Sequence, residues 1–306
     1  MRAVTYDSYS KDDSRLTVGE VDDPKVGPGT VLIEVRAAGV NPVDWKVMAG
    51  GLDPMMDTVF PAIPGWDVAG VVRAVGPDTP EFEPGDEVMS YARKDIVHAG
   101  TFAEQVAVSA AHVARKPAGL SFEQAAGLPL AGLTALRTLD HLAVRDGETL
   151  LVLGASGGVG AFAVQLARAR GARVIGTASG RNHDYLRELG AEPVDYKDDV
   201  VRRVRELAPG GVDAVADFVG GQLDVTVKVL AEGGRNASTA DPSVREHGGT
   251  WVWVRPDGER LAGLGELAEQ GRLTVEVAGT FPLERVGDAF EQSRSGHTRG
   301  KLVIVP

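Results

Sequence analysis

Residues 149–170 read TLLVLGASGGVGAFAVQLARAR, the most informative segment of the chain. An apolar run, Leu150 to Leu153, stops at a glycine-rich turn, Gly154-Ala-Ser-Gly157-Gly-Val-Gly160. A helix-forming run follows, with Val159, Phe162, Leu166 and Ala169 on one face, and it stops at Gly171. Strand, glycine turn and helix in this order lay a pyrophosphate against the backbone N–H groups of a helix N-terminus. Gly154 lets the chain turn, Gly157 removes a side chain where phosphate approaches, and Gly160 lets helix and strand pack closely. Gly154, Ser156, Gly157, Gly158, Val159 and Gly160 form the candidate phosphate cradle. A tight strand–helix turn with no ligand would use the same glycines. The loop lacks the Gly-Lys-Ser/Thr ending of an NTPase phosphate loop, which favours a dinucleotide over ATP.

At 306 residues the chain has room for about two domains. Its 43% hydrophobic and 25% charged residues are those of an ordinary globular protein. A net charge of −11 and a pI near 5.1 argue against binding to nucleic acid or an anionic membrane. Without a cysteine there is no disulfide, thiolate nucleophile or thiolate-bound zinc. The N-terminus MRAVTYDSYS does not read as a signal peptide, and no run approaches the roughly 18 apolar residues of a membrane span. A cytoplasmic location is the expectation.

The first 120 residues read as β-rich. Short apolar runs (Val31 to Val35, Val68 to Val75, Glu87 to Ser90, Ala103 to Val108) alternate with Gly, Pro and Asp turns, which suggests an antiparallel, partly barrel-like domain. Ser121, with Gln124 in the capping-box position, opens a different region. Helical segments there alternate with strands at Leu150 to Leu153, Arg173 to Ala178, Pro193 to Tyr196, Val212 to Phe218, Asn236 to Thr239 and Trp251 to Val254. That alternation predicts an α/β fold with a doubly wound parallel sheet. In the tail, Leu273 to Val277 reads as a strand, Leu283 to Ser293 as a helix and Lys301 to Val305 as a terminal strand. The predicted division is a split domain, 1–121 with 267–306, around a nucleotide domain, 122–266.

The strand RVIGTAS should end near the adenosine ribose. An NAD-preferring site carries Asp or Glu there, about 20 residues beyond the glycines. Here the chain reads Thr177-Ala-Ser-Gly-Arg-Asn-His183, with no carboxylate until Asp184. A carboxylate would repel a 2′-phosphate, whereas Ser179 can donate a hydrogen bond and Arg181 a charge-assisted one. NADPH is therefore favoured over NADH. Arg181 also reads as an ordinary surface charge, and His183 as a helix-start residue or a phosphate ligand.

With these pieces in place the chain resembles the medium-chain dehydrogenase/reductase superfamily, in its zinc-independent quinone oxidoreductase (zeta-crystallin-like) branch. The carrying segments are Ala38-Gly-Val-Asn-Pro-Val-Asp44, Ile63-Pro-Gly-Trp-Asp-Val-Ala-Gly-Val71, Phe82-Glu-Pro-Gly-Asp-Glu-Val88, Gly100-Thr-Phe-Ala-Glu-Gln105, Leu128-Pro-Leu-Ala-Gly-Leu-Thr-Ala135, the glycine loop and Gly300-Lys-Leu-Val-Ile304. The resemblance implies a GroES-like catalytic domain split around an NADPH-binding Rossmann domain. Zinc-dependent relatives carry Cys where this chain has Asn41, and His-Glu where it has Trp66-Asp67. The resemblance thus implies chemistry without a metal, and Trp66 has no lone pair to offer one.

The implied reaction is hydride transfer to a quinone or an activated enone or enal, whose delocalised anion needs less electrophilic help than an isolated ketone's. By resemblance Asn41 faces the nicotinamide pocket and offers the oxyanion a hydrogen bond; on sequence alone it is equally a turn residue before Pro42. Thr134, the segment Phe218-Val219-Gly220, Ser238 and Thr239 match positions beside the cofactor. Tyr196 matches a tyrosine that flanks the 2′-phosphate. Lys301 matches a terminal-strand lysine that faces the cofactor, or else faces solvent. Trp45, Met48, Met55, Met56 and Trp66 supply a soft apolar acceptor wall, or core packing. The tyrosine that many relatives carry after the Asn-Pro-Val-Asp segment is missing, since no tyrosine lies between Tyr9 and Tyr91.

A homodimer is expected through Trp251 to Val254, because so aromatic an edge strand needs cover. Two other functions remain open: an enoyl-thioester reductase, and a non-catalytic NADPH-binding sensor or structural protein.

Overall fold

The computed structural model describes residues 1–306. The chain forms two compact units, Met1–Leu133 with Arg255–Pro306, and Thr134–Val254. Both boundaries differ from those read in the sequence. The helix Phe122–Gly127 packs on the strands Thr30–Val40 and Asp67–Val75, and the helix Gly258–Glu269 packs on the strand Val113–Arg115. Tertiary packing therefore assigns both helices to the β-rich unit, although their local pattern is that of the helical region. Ser121 caps the first of them with the expected box: its Oγ accepts the Gln124 N–H at 3.2 Å, and Gln124 Oε1 accepts the Ser121 N–H at 3.1 Å.

The nucleotide unit carries six parallel strands: Thr149–Leu153, Arg173–Ala178, Glu192–Asp195, Val212–Asp217, Leu230–Ser238 and Thr250–Trp251. Numbered along the chain, they lie in the order third, second, first, fourth, fifth, sixth. This is the doubly wound order, which puts the C-terminal ends of the first and fourth strands side by side at the point where the winding reverses. Leu151, Leu153, Ile175, Val212 and Val215 form one buried cluster with Val204 and Val229. The last strand is shorter than Trp251 to Val254; ladder pairing stops at Trp251, and Val252 adds one N–H to the Ser238 carbonyl at 2.9 Å.

In the other unit a mainly antiparallel sheet is built on the long strand Thr30–Val40, which pairs with Asp67–Val75, Gln105–Ser109 and the terminal strand Lys301–Val305. The strand expected at Leu273 to Val277 begins instead at Val277 and runs to Pro282, because its register is set by parallel pairing with Lys301–Val305. Two pairings place the site. Val303 opposite Gly39 and Leu302 opposite Val40 bring Lys301 beside Asn41. Ala69 opposite Ala37 brings Asp67 alongside the same end of the long strand. No helix is long and apolar enough to cross a membrane.

Candidate active site

The helix Pro42–Met48 starts at Asn41, with Pro42 in its first turn, where a missing N–H costs nothing. Asp44 reaches back, its Oδ2 accepting the Asn41 backbone N–H at 2.7 Å. The Asn41 side chain is occupied elsewhere. Its Nδ2 donates to Asp67 Oδ2 at 2.9 Å and makes a long 3.5 Å contact with the Gly39 carbonyl. Its Oδ1 accepts from Lys301 Nζ. Lys301 also donates to the Val40 carbonyl at 3.0 Å and lies 4.0 Å from Asp67 Oδ2. Asp67 Oδ1 accepts the Leu130 N–H at 2.9 Å. An ammonium can only donate and an ionised carboxylate can only accept, so the two neighbours fix which end of the amide faces which.

All four side chains are buried. Burial pushes the Asp67 carboxyl up to about 6, against the opposing pull of Lys301, the Asn41 amide and the Leu130 N–H. Burial pushes Asp44 up to about 8, against the Asn41 N–H, with the Asp67 charge adding to the rise. Its Oδ1 has no hydrogen-bond partner, which suits a neutral carboxyl. Burial lowers Lys301, while Asp67 and Asp44 oppose the shift. The geometry sets the Lys301 ammonium against the Asp67 carboxylate across one neutral amide, and burial favours the neutral form of Asp44 beside them. The Tyr6 hydroxyl is also buried without a partner, and burial, then Tyr9, then Asp44 raise its pKa.

Several sequence-derived roles are corrected here. Lys301 faces neither solvent nor an open surface; its ammonium is spent on Asn41, Val40 and Asp67. Met48 is core packing at 1% exposure. Trp45 donates from Nε1 to Ser293 Oγ at 3.1 Å and is flanked by the Lys46 and Arg294 cations, so it seals the helix Val286–Arg294 rather than lining a pocket. Met55 is exposed and Met56 buried. Trp66 is buried against Tyr91, their ring centroids 6.3 Å apart, and lines a small recess with Ile63, Lys94, Ile96 and His98.

In the nucleotide unit the glycine loop has the expected form. Gly154 sits at φ +76° and its N–H donates to Thr177 Oγ1 at 3.0 Å. Gly157 caps the helix Gly158–Ala169, in which Val159 and Gly160 form the first turn. A Cβ on Gly160 would stand 2.2 Å from the Gly154 carbonyl oxygen. Ser179 follows the second strand, Arg181 is exposed, and Tyr196, half exposed, follows the third strand with its N–H on the Ala178 carbonyl at 3.3 Å. Phe218 and the exposed Val219 follow the fourth strand, where the Val219 and Gly220 N–H groups donate to Asp217 Oδ1. Ser238 is a further correction. It is fully buried, donating to Asp217 Oδ2 at 2.8 Å and accepting the Ala240 and Asp241 N–H groups, so no hydrogen-bonding capacity is left for a cofactor. Thr239 is half-buried, and Thr134 is buried on the helix Pro129–His141.

The sequence reading missed two residues. Asp195, at the end of the third strand, accepts the Gly180 N–H at 3.0 Å and the Lys197 N–H at 2.9 Å. It places beside the loop after the second strand a carboxylate that inspection of residues 177–183 could not find; the clue was its register opposite Ala178. Asn182 is buried at 9% exposure and touches both Ser156 and Ser179.

Residues 27–118 match the alcohol dehydrogenase GroES-like domain, and residues 189–304 match the zinc-binding dehydrogenase family. The chain is 36% identical to an NADPH-dependent alkenal/one oxidoreductase of Arabidopsis thaliana, over the whole of this chain and 80% of the relative. It is 33% identical to quinone-oxidoreductase QR1 of Triphysaria versicolor, over 100% of this chain and 98% of the relative. The crystal structure of a quinone oxidoreductase from Coxiella burnetii superposes with a TM-score of 0.89 at 33% identity, covering 100% of this chain and 99% of that one. The chain belongs to the medium-chain dehydrogenase/reductase superfamily.

Part of that superfamily binds zinc, and the residues here do not fit the ion. Trp66 offers no lone pair, the Asn41 oxygen already accepts an ammonium, and both Asp67 oxygens are hydrogen-bonded beside that same ammonium. A dication added there would face Lys301 with too few ligands to offset the repulsion.

Proposed function

We infer that the chain is an NADPH-dependent reductase of quinones or of conjugated enones and enals, working without zinc. The observation that carries this reading is the clamped amide of Asn41. Where a zinc-dependent member needs metal ligands, this chain holds a neutral donor between an ammonium and a carboxylate. Such a donor is too weak to activate an isolated ketone and sufficient for an acceptor whose anion is delocalised. The names of the Arabidopsis and Triphysaria relatives support the same substrate class.

When bound, NADPH supplies the hydride. The glycine loop would offer its backbone N–H groups to the pyrophosphate, and Ser179, Arg181 and Tyr196 are the residues assigned to the 2′-phosphate. The second Asn41 N–H, held only by the long contact to Gly39, is the donor assigned to the acceptor oxygen. The test is NADPH oxidation by a simple quinone and a short enone, with and without EDTA. Turnover that survives the chelator is expected. No turnover across a broad panel of quinones, enones and enals, or loss of rate with EDTA, overturns the reading.

A homodimer belongs to the same proposal. Thr250–Trp251 is the edge strand of the parallel sheet, and half-buried Trp251 and Trp253 meet edge to face there, their centroids 6.1 Å apart. Pairing with a second copy would cover that edge. A monomer mass by light scattering at micromolar concentration overturns it.

A further inference from the structure

Ser156 lies in the glycine loop after the first strand of the nucleotide unit, and Ser179 follows the second. The Asn182 side chain joins them, its Nδ2 standing 3.2 Å from Ser156 Oγ and 3.4 Å from Ser179 Oγ. Asn182 has little freedom of its own, being buried with its backbone N–H bound to the Ser179 carbonyl at 2.8 Å. A primary amide nitrogen only donates, while a serine hydroxyl has two lone pairs and one hydrogen. Each hydroxyl that accepts from Asn182 therefore keeps its single hydrogen for another acceptor. Phosphate oxygens are such acceptors, and bonds to them are charge-assisted.

We propose that Asn182 is a positioning residue that holds Ser156 and Ser179 as outward donors, coupling the pyrophosphate loop to the 2′-phosphate end of the dinucleotide site. This rests on the NADPH reading above. Asn182 does not itself touch the cofactor; it selects the direction in which two hydroxyls donate. The consequence is chemical and specific. A carboxylate of nearly the same shape at 182 accepts instead of donating, so both hydroxyls turn inward and both phosphate contacts are lost.

The experiment is a fluorescence titration of the purified full chain with NADPH and with NADH, alongside steady-state kinetics. N182D should weaken NADPH binding about ten- to a hundredfold, the loss of one to two such bonds. NADH, which keeps the pyrophosphate but lacks the 2′-phosphate, should lose less. The kcat at saturating NADPH should stay within about threefold, a split that a general loss of folded protein would not give. Combining N182D with S156A should be less than additive for both nucleotides, and combining it with S179A less than additive for NADPH only. N182A should fall between wild type and N182D, because the hydroxyls are then unaligned but not reversed. If N182D does not fold, the N182A cycles with S156A and S179A give the same couplings on a neutral background.

Equal weakening of both nucleotides, or strict additivity with both serine variants, overturns the coupling while leaving the NADPH reading intact. Wild-type protein that binds neither nucleotide overturns the NADPH reading and the coupling with it.

Discussion

Lys301 donates from its ammonium to the amide oxygen of Asn41, joining residues 260 apart in the chain, and both are almost wholly buried. The pairing also neutralises Asp67, whose Oδ2 lies 4.0 Å from the same nitrogen. Removing the cation leaves a carboxylate with no counter-charge in the core. Lys301→Met should therefore destabilise the protein by about 3–5 kcal/mol. Urea unfolding of the variant measures this, and a loss under about 1 kcal/mol would show that Asp67 is not charged.

Asn41 provides the donor proposed for the acceptor oxygen. Asn41→Ala should lower kcat/KM for a quinone or enone about a hundredfold, in the range seen when one oxyanion donor is removed. The NADPH dissociation constant should hardly change, because the nucleotide unit is untouched. Stopped-flow reduction of the acceptor with preloaded NADPH separates the two quantities.

Asp44 gives a signed pH dependence. Its carboxyl rises from 3.8 to about 8 on folding, so the folded state holds a proton that the unfolded state releases. The resulting stability is complete below pH 3.8 and is lost as pH rises through about 8; Asp67 adds the same sign up to about 6. Lys301 acts oppositely, its lowered value contributing stability above 10.5 that is lost as pH falls through its folded value. Between pH 5 and 8 the two carboxyls make the melting temperature fall as pH rises, and Lys301 opposes them. In Asp44→Asn the curve should be flatter over that window, and scanning calorimetry at several pH values compares the two.

Asp195 sits beside the loop assigned to the 2′-phosphate. Asp195→Asn keeps an oxygen for the Gly180 N–H and removes a negative charge. The KM for NADPH should fall about two- to fivefold, in keeping with one partly screened charge, and that for NADH should stay level. An equal change for both nucleotides would place Asp195 away from the phosphate.

Gly160 has no room for a side chain, since a Cβ would stand 2.2 Å from the Gly154 carbonyl oxygen and 2.8 Å from the Ala155 Cα. Both neighbours are backbone, so the clash cannot be relieved by a rotamer. Gly160→Ala should destabilise the protein by about 1–3 kcal/mol and weaken NADPH at least tenfold, read by a thermal melt and a titration.

Local signals in the chain were enough for the parts that local physics controls. The strands Arg173–Ala178 and Lys301–Val305 coincide with their apolar runs, and the glycine loop shows its strand, turn and helix within 22 consecutive residues. The Leu273 to Val277 run misled, because a short apolar segment has no fixed edge until a partner strand sets its register. The boundary at 266 failed because the helix Gly258–Glu269 packs on Val113–Arg115, a distant contact that no local pattern encodes.

Residue identity within short stretches was enough for the doubly wound nucleotide unit, the glycine loop and the absence of zinc-type ligands at 41 and 66. The arrangement of Asn41, Asp44, Asp67 and Lys301 comes from long-range pairing. Pairing of the terminal strand with Thr30–Val40 buries all four together, and burial, not identity, moves their protons. The same holds for Asn182 and Asp195, whose partners lie across neighbouring strands and share no local pattern with them.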